Sequence, residues 1–249
     1  MKKRFGQHFL SDRPILQRIV RLAAIGPEDT VVEIGPGAGS LTRELAAVAK
    51  QVIAIEIDRD LLPKLRATMP GNVEIVEGDA LTAELPRNAH LVGNLPYNIA
   101  TPLLKRFIAA RAHILDVTVM LQQEVAERIC AMAGSEDYGP LSVLIQYYAT
   151  PVWGFTVPPG AFTPSPKVDS AVIRLEWKPG VADNTAFTDF VHRAFGSRRK
   201  KLLNNLVSMT PHKTRENLAS ALDASGVSRD ARAETLSVEQ FLDVYNQLQ

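Results

Sequence analysis

The apolar run Thr30-Val31-Val32-Glu33-Ile34 passes directly into Gly35-Pro36-Gly37-Ala38-Gly39 and then into a helix-patterned stretch over residues 40–49. A glycine-rich strand-to-helix turn of this kind is common in α/β proteins, and it constrains the fold more than the ligand. β-Branched residues bounded by glycine read as a buried strand, the glycines allow a tight turn and close approach to a ligand, and a helix N-terminus stands just behind. The spacing is G-x-G-x-G and not the dinucleotide pattern G-x-G-x-x-G. A second strand-like run, 51–55, ends in Glu56, seventeen residues past Gly39, and a third, 73–76, ends in Gly78-Asp79-Ala80. In a doubly wound sheet a carboxylate placed like Glu56 accepts ribose hydroxyls. Asp79 is then placed to reach the amino group of a bound adenine, and the ligand inferred is an adenosine without phosphate. Each residue also has a plainer reading. Glu33 either neighbours the ligand or bonds backbone amides of the glycine turn, and Glu56 and Asp79 read equally as a strand end and a turn residue. Their occurrence at the ends of three consecutive strands favours the ligand, because open α/β sheets bind at their carboxyl edge.

Downstream stands Asn94-Leu95-Pro96-Tyr97, again after an apolar strand. Alone it is an ordinary strand-to-loop turn with proline as punctuation. Beside an adenosine site it suits gripping an exocyclic amino group on a planar ring. The lone pair of such an amine is delocalised into the ring, so a catalyst has to polarise it. The Asn94 side-chain carbonyl accepts one N–H, and the Leu95 carbonyl, held by Pro96, accepts the other, which draws the nitrogen towards tetrahedral geometry. Tyr97 offers a ring on which the base stacks.

Strand patterns near 30–34, 51–56, 73–76, 90–93 and 117–121, with helices between, predict a mostly parallel sheet. Residues 152–157 and 168–177 read as a closing strand pair joined by the proline-rich segment 158–166; lacking a crossover helix, that pair is expected to be antiparallel. Lys178-Pro179-Gly180 is the expected boundary between a first domain, 1–180, and a helical second domain, 181–249. Arg193, Arg198, Arg199, Lys200 and Lys201 fall within nine residues that also hold Phe195, beside Phe190, Leu202 and Leu203. That mixture predicts a helix packed inward on one side and presenting cations to RNA phosphate on the other, with a solvated face as the plainer alternative.

A chain of 249 residues, 46% hydrophobic, supports one large and one small domain. The net charge of +1 excludes a polycationic nucleic-acid binder, yet charge is segregated. Residues 2–21 carry six cations against Asp12 alone, whereas residues 22–100 carry eleven acids against six bases. An acidic half suits a cationic ligand and a basic arm suits RNA. From Val181 onward eight acids nearly balance nine bases, so any RNA grip there is local. The single cysteine, Cys130, leaves no internal disulfide, and without metal-ligand spacing no metal site is expected. It falls in an amphipathic stretch, 124–132, as a small core residue. The start of the chain lacks the apolar run of a signal peptide and no segment is long enough to span a membrane, so a cytoplasmic location is expected.

Taken together, Gly6-Gln7-His8-Phe9-Leu10, Glu33 to Gly39, Glu56, Gly78-Asp79-Ala80, Asn94-Leu95-Pro96-Tyr97-Asn98-Ile99 and Phe162-Thr163-Pro164-Ser165-Pro166-Lys167-Val168-Asp169-Ser170 closely resemble the ribosomal RNA adenine dimethyltransferases, above all the bacterial branch acting on the small subunit. The match runs from about Lys3 to the chain end. The resemblance implies an α/β, Rossmann-like class I S-adenosylmethionine-dependent methyltransferase with a mostly parallel seven-stranded sheet and a small all-α C-terminal domain. It implies methyl transfer to N6 of two adjacent adenosines near the 3′ end of 16S rRNA, within the assembling small subunit, by a monomer that needs no metal. Carried onto this sequence, it implies cofactor contacts from His8, Leu10, Gly35, Glu56, Asp79 and Asn94, and a catalytic set of Asn94, Tyr97 and Phe162. Phe162, held exposed by the prolines around it, is expected to stack on the base opposite Tyr97. The first motif of the family usually reads Gly-Gln-Asn-Phe-Leu; here His8 replaces the Asn, and imidazole can replace an amide as donor or acceptor. Two alternatives share the pattern: the large-subunit rRNA adenine methylases of macrolide resistance, and a non-catalytic ribosome-assembly factor on the same fold.

Overall fold

A computed structural model of the protein describes residues 8–197 and 199–249. The arm cations Lys2, Lys3 and Arg4, the motif residues Gly6 and Gln7, and Arg198 lie outside the described residues. The strands are β1 (Phe9–Leu10), β2 (Thr30–Ile34), β3 (Gln51–Glu56), β4 (Val73–Glu77), β5 (Ala89–Asn94), β6 (Ile114–Gln122), β7 (Ala149–Val157), β8 (Phe162–Thr163) and β9 (Ser170–Trp177). Seven of them form one sheet in the order β4-β3-β2-β5-β6-β9-β7. Pairings from β4 through β6 are parallel, and β9 runs antiparallel to β6. The central strands are covered on both faces, with Val31, Val32, Leu91, Val92 and Val117 fully buried. Two-sided burial is why these strands read as continuous apolar runs and not as alternating ones.

The chain steps outward from β2 to β3 and β4, then returns to lay β5 on the other side of β2. That reversal opens a crevice at the carboxyl ends of β2 and β5. Their close approach depends on Gly93: a Cβ there would stand 2.8 Å from the Ile34 carbonyl oxygen. Gly35 opens the turn after β2 with φ 68°, a left-handed conformation that glycine adopts without strain.

A feature that no local pattern in the sequence predicts is the small antiparallel pair β1–β8, in which Phe9 faces Thr163 and Leu10 faces Phe162. It ties the start of the chain to the proline-rich segment. The helix Arg13–Ala23 follows, capped where the Asp12 carboxylate accepts the Ile15 amide at 3.1 Å, and buries Leu16, Ile19 and Ala23. Those side chains share a core with Leu10, Leu41, Val92, Phe155 and Phe162. At the opposite, amino-terminal edge of the sheet, His90 bonds Asp116 at 2.9 Å, and Arg174 bonds the other Asp116 oxygen at 2.8 Å and the Leu22 carbonyl at 3.2 Å.

The chain divides into two compact units, one of residues 8–126 with Pro151–Trp177, the other of Glu127–Thr150 with Lys178–Gln249. The last passage between them falls at Lys178-Pro179-Gly180, but Glu127–Thr150, expected from the sequence in the first domain, packs with the C-terminal helices. Tyr138 and Val143 share one core with Phe187, Leu206 and Phe241. The helix Pro140–Tyr148 is apolar enough to serve either core, so its local pattern does not say which one it joins. The second unit carries the helices Thr185–Ala194, Leu202–Met209, Arg215–Ala224 and Val238–Gln247. The last of these starts in a reciprocal cap between Ser237 and Gln240. Phe190, Leu202 and Leu203 are buried, while Arg199 and Lys200 are exposed. Lys201 pairs with Asp230 at 2.6 Å and Arg193 donates to the Met209 carbonyl, so these two cations are already engaged. Cys130 is half-buried, not a full core residue, and burial pushes its thiol up to about 11. No helix among the described residues is long and apolar enough to cross a membrane.

Candidate active site

One cleft follows the carboxyl edge of the sheet, and His8, Leu10, Gly35, Glu56, Asp79, Asn94 and Tyr97 all line it. Strand topology brings them together: β2, β3 and β5 end side by side, and the turn after β4 adds Asp79. Glu56 is 2% exposed, with one carboxylate oxygen accepting the Gly37 amide at 3.0 Å and the other the Asp58 amide at 2.8 Å. Those two bonds hold the carboxylate at the mouth of the glycine turn. Burial pushes the Glu56 carboxyl upward, partly offset by the Asp58 and Gly37 amides. Asp79 accepts the Leu81 amide at 2.9 Å, a local turn that aims the residue at the cleft.

Glu33 lies in the cleft lining. It is 1% exposed, and its Oε2 has no hydrogen-bond partner among the described residues. Burial drives its carboxyl up to about 8, eased by the Thr42 hydroxyl and increased by the nearby Glu56 charge. Burial keeps a proton on Glu33, and a cationic ligand in the cleft would favour its release. Gly35 contributes room: a Cβ there would meet nothing within 4 Å. A cationic adenosine-type ligand fits this lining, with carboxylates for ribose, amine and net charge. Ile57, 46% exposed, adds an apolar wall beside Glu56 that the sequence pattern did not single out.

The tetrad is held from outside itself. The Asn94 side-chain amide donates to the His8 backbone carbonyl at 3.0 Å. A carbonyl only accepts, so this bond decides which way the amide faces and leaves Oδ1 as the acceptor available to the cleft. The Leu95 amide donates to the Met120 carbonyl at 2.9 Å, and the Ile99 amide to the Pro96 carbonyl at 3.0 Å, closing the loop. The His8 ring lies 5.8 Å from the Tyr97 ring at 28°, and its Nδ1 bonds the Pro164 carbonyl at 2.7 Å. The Tyr97 hydroxyl meets the Ser170 hydroxyl at 2.7 Å.

Phe162 departs from expectation. It is 4% exposed and packed in the core with Leu10 and Leu16, and it is absent from the cleft lining. The cause is the β1–β8 pair, whose register puts Phe162 opposite Leu10 and turns its ring inward. The ring that neighbours Tyr97 is His8. Ser170 ends the motif that begins at Phe162, yet nothing in the local pattern indicated its bond to a residue 73 positions away.

The family model for ribosomal RNA adenine dimethylase matches residues 1–249. Among curated proteins, the chain is 42% identical over 268 residues to the ribosomal RNA small subunit methyltransferase A of Moorella thermoacetica, covering 100% of this chain and 92% of that protein. It is 41% identical over 266 residues to the protein of the same name from a Geobacillus species, covering 100% and 91%. Among solved structures, a dimethyladenosine transferase from Plasmodium falciparum superposes with a TM-score of 0.85 at 26% identity, over 95% of this chain and 96% of that one. The 23S rRNA methyltransferase ErmE gives 0.77 at 32% identity, over 96% and 99%. The mostly parallel seven-stranded sheet, the carboxyl-edge cleft and these full-length likenesses establish that the chain belongs to the ribosomal RNA adenine dimethylase family.

Proposed function

We propose that the protein transfers methyl groups from S-adenosylmethionine to N6 of two adjacent adenosines near the 3′ end of 16S rRNA, in the assembling small subunit, giving N6,N6-dimethyladenosine. The observation that carries this reading is the Asn94 amide, pinned by the His8 carbonyl so that an acceptor faces a carboxylate-lined cleft next to the Tyr97 ring. Glu56 takes the donor's ribose hydroxyls, Asp79 its adenine amine, and Glu33 balances its positive charge; His8, Leu10 and Gly35 complete the wall. The donor supplies a methyl on a positively charged sulfur. The target adenosine leaves its stack and lies against Tyr97. Asn94 Oδ1 and the Leu95 carbonyl accept the two amine hydrogens and aim the nitrogen lone pair at that methyl. As the N–C bond forms, the S–C bond breaks, sulfur keeps the electron pair, and the amine proton passes to solvent. Positioning and exclusion of water supply most of the acceleration.

Exposed Arg199 and Lys200 in the second unit and the basic helix Arg13–Ala23 meet RNA phosphate. The protein works as a cytoplasmic monomer. The likeness to a 23S rRNA methyltransferase makes large-subunit RNA the competing substrate. Small subunits assembled from unmethylated rRNA, incubated with labelled donor and mapped by mass spectrometry, test the reading. Dimethylation of an adjacent adenosine pair near the 3′ end is expected. No transfer, or transfer to large-subunit RNA alone, refutes it.

A further inference from the structure

We propose that Ser170 is a positioning residue for methyl transfer: its hydroxyl anchors the tip of Tyr97 and so sets where the ring that stacks on the target base is held. The inference rests on the reading of Asn94 and Tyr97 as the acceptor site and adds a residue to which no part of that reading assigns a task. Because β9 runs antiparallel to β6, its first residue, Ser170, sits opposite Gln122, the last residue of β6, and thus at the carboxyl edge where the cleft lies. A parallel strand would have delivered its last residue there. Ser170 is fully buried, and a buried hydroxyl has to find a partner. The partner it finds, at 2.7 Å, is the hydroxyl of a tyrosine that lines the cleft.

The loop around Tyr97 shows how much the anchor decides. Backbone bonds from Leu95 and Ile99 fix the base of the loop, and the His8 ring, 5.8 Å away, flanks one side of the Tyr97 ring. The stacked His8 ring limits rotation of the Tyr97 ring plane, but neither support fixes the swing of the ring axis about the Cα–Cβ torsion. The hydroxyl bond to Ser170 ties down the far end, so the ring is held at root, flank and tip by three separate parts of the chain. Stacking alone would be satisfied by phenylalanine. Stacking in one orientation is not, and displacement at a methyl is sensitive to orientation, a misplacement of about 1 Å costing up to about a hundredfold in rate. Loss of the anchor should therefore appear in the rate with both substrates saturating and not in donor affinity.

Single-turnover methylation at saturating donor and unmethylated small subunits, measured for Ser170→Ala, Tyr97→Phe and the double variant, tests this directly. Each single change removes the same hydrogen bond and should slow transfer by about three- to tenfold. The double variant should be no slower than the slower single one, while calorimetric donor affinity stays at the parent value. Additive losses, or either single variant at the parent rate, overturn the proposal. If Ser170→Ala does not fold, Tyr97→Phe alone decides: the parent rate refutes the anchor, and a slowed rate with donor affinity intact supports it. Asn94→Ala serves as the control. If it too transfers at the parent rate, the acceptor site itself has been misassigned; if it is slow while the other two are not, only the Ser170 anchor fails.

Discussion

Asn94 and His8 are 86 residues apart in sequence, and the Asn94 amide nitrogen lies 3.0 Å from the His8 carbonyl oxygen. The bond comes from the backbone of His8, so it survives the replacement of the family's usual Asn by His. His8 immediately precedes β1, so the strand pair β1–β8 helps place the carbonyl that holds the amide.

Asn94→Ala should lower the single-turnover methylation rate by about a hundredfold or more, the effect of removing a preorganised group that stabilises the transition state. Asn94→Asp should be comparably slow, because it sets a carboxylate oxygen against the His8 carbonyl and drives the side chain out of its orientation. RNA affinity should hold in both, since phosphate contacts supply most of it. Equal rates for Asn94→Asp and the parent would show that the His8 bond does not orient the side chain.

Glu33 makes the donor site sensitive to pH. Its carboxyl is raised from 4.5 to about 8 in the folded protein, so between these values the folded state holds a proton that the unfolded state has lost. Stability without donor should therefore fall as pH rises through this window, by at most about 1.4 kcal/mol per pH unit from this group. A positively charged donor favours the deprotonated form, so its affinity should rise with pH across the upper part of the window and level off above about 8, where the free protein has already lost the proton. The neutral demethylated product should show a shallower rise. Urea unfolding and calorimetry across pH check both trends; Glu33→Gln should flatten them, and an unchanged slope in that variant would assign the effect to Glu56, which is shifted in the same direction.

At the far edge of the sheet, Asp116 holds His90 and Arg174 together with its side chain 5% exposed. The Asp116 bond raises the His90 pKa above its ordinary 6.5, against an opposing effect of burial. Stability from this pair is complete below the ordinary value and is lost as pH rises through the higher folded one. Asp116→Ala strands a partly buried guanidinium and should cost about 3 kcal/mol in urea unfolding. The destabilisation should be larger in mildly acidic than in alkaline buffer, and a value that does not change with pH would show that His90 takes no part in it.

Charge reversal at exposed Arg199 and Lys200 should weaken rRNA binding and reduce the salt slope by about 0.7 to 0.9 for each phosphate no longer neutralised. Reversal at Lys201, already paired with Asp230, should do less. Filter binding at several salt concentrations separates the two, and equal slopes for all variants would leave the cluster as a solvated face.

The sequence determined what local chemistry can determine. Continuous apolar runs specify doubly covered strands, glycines at 35, 37 and 39 specify a left-handed turn, and the residue that follows a buried strand inherits the carboxyl edge. Glu56 and Asn94 were placed at the carboxyl edge for that reason, each closing its own strand, and Asp79 follows two residues after β4. What the sequence could not settle involves partners from distant segments. Phe162 sits among prolines as an exposed residue would, and only the pairing of β8 with β1 buries it. Glu33 has the same local context whether it clasps the turn or faces a ligand, and only the tertiary structure buries it in the cleft lining. The helix Pro140–Tyr148 joins the second core because Val143 and Tyr138 find Phe187 there. Asn94 with His8 and Tyr97 with Ser170 meet because an antiparallel strand and an N-terminal strap close on the same edge. Hydrogen bonds of this kind have no periodicity along the chain, so only the tertiary structure decides them.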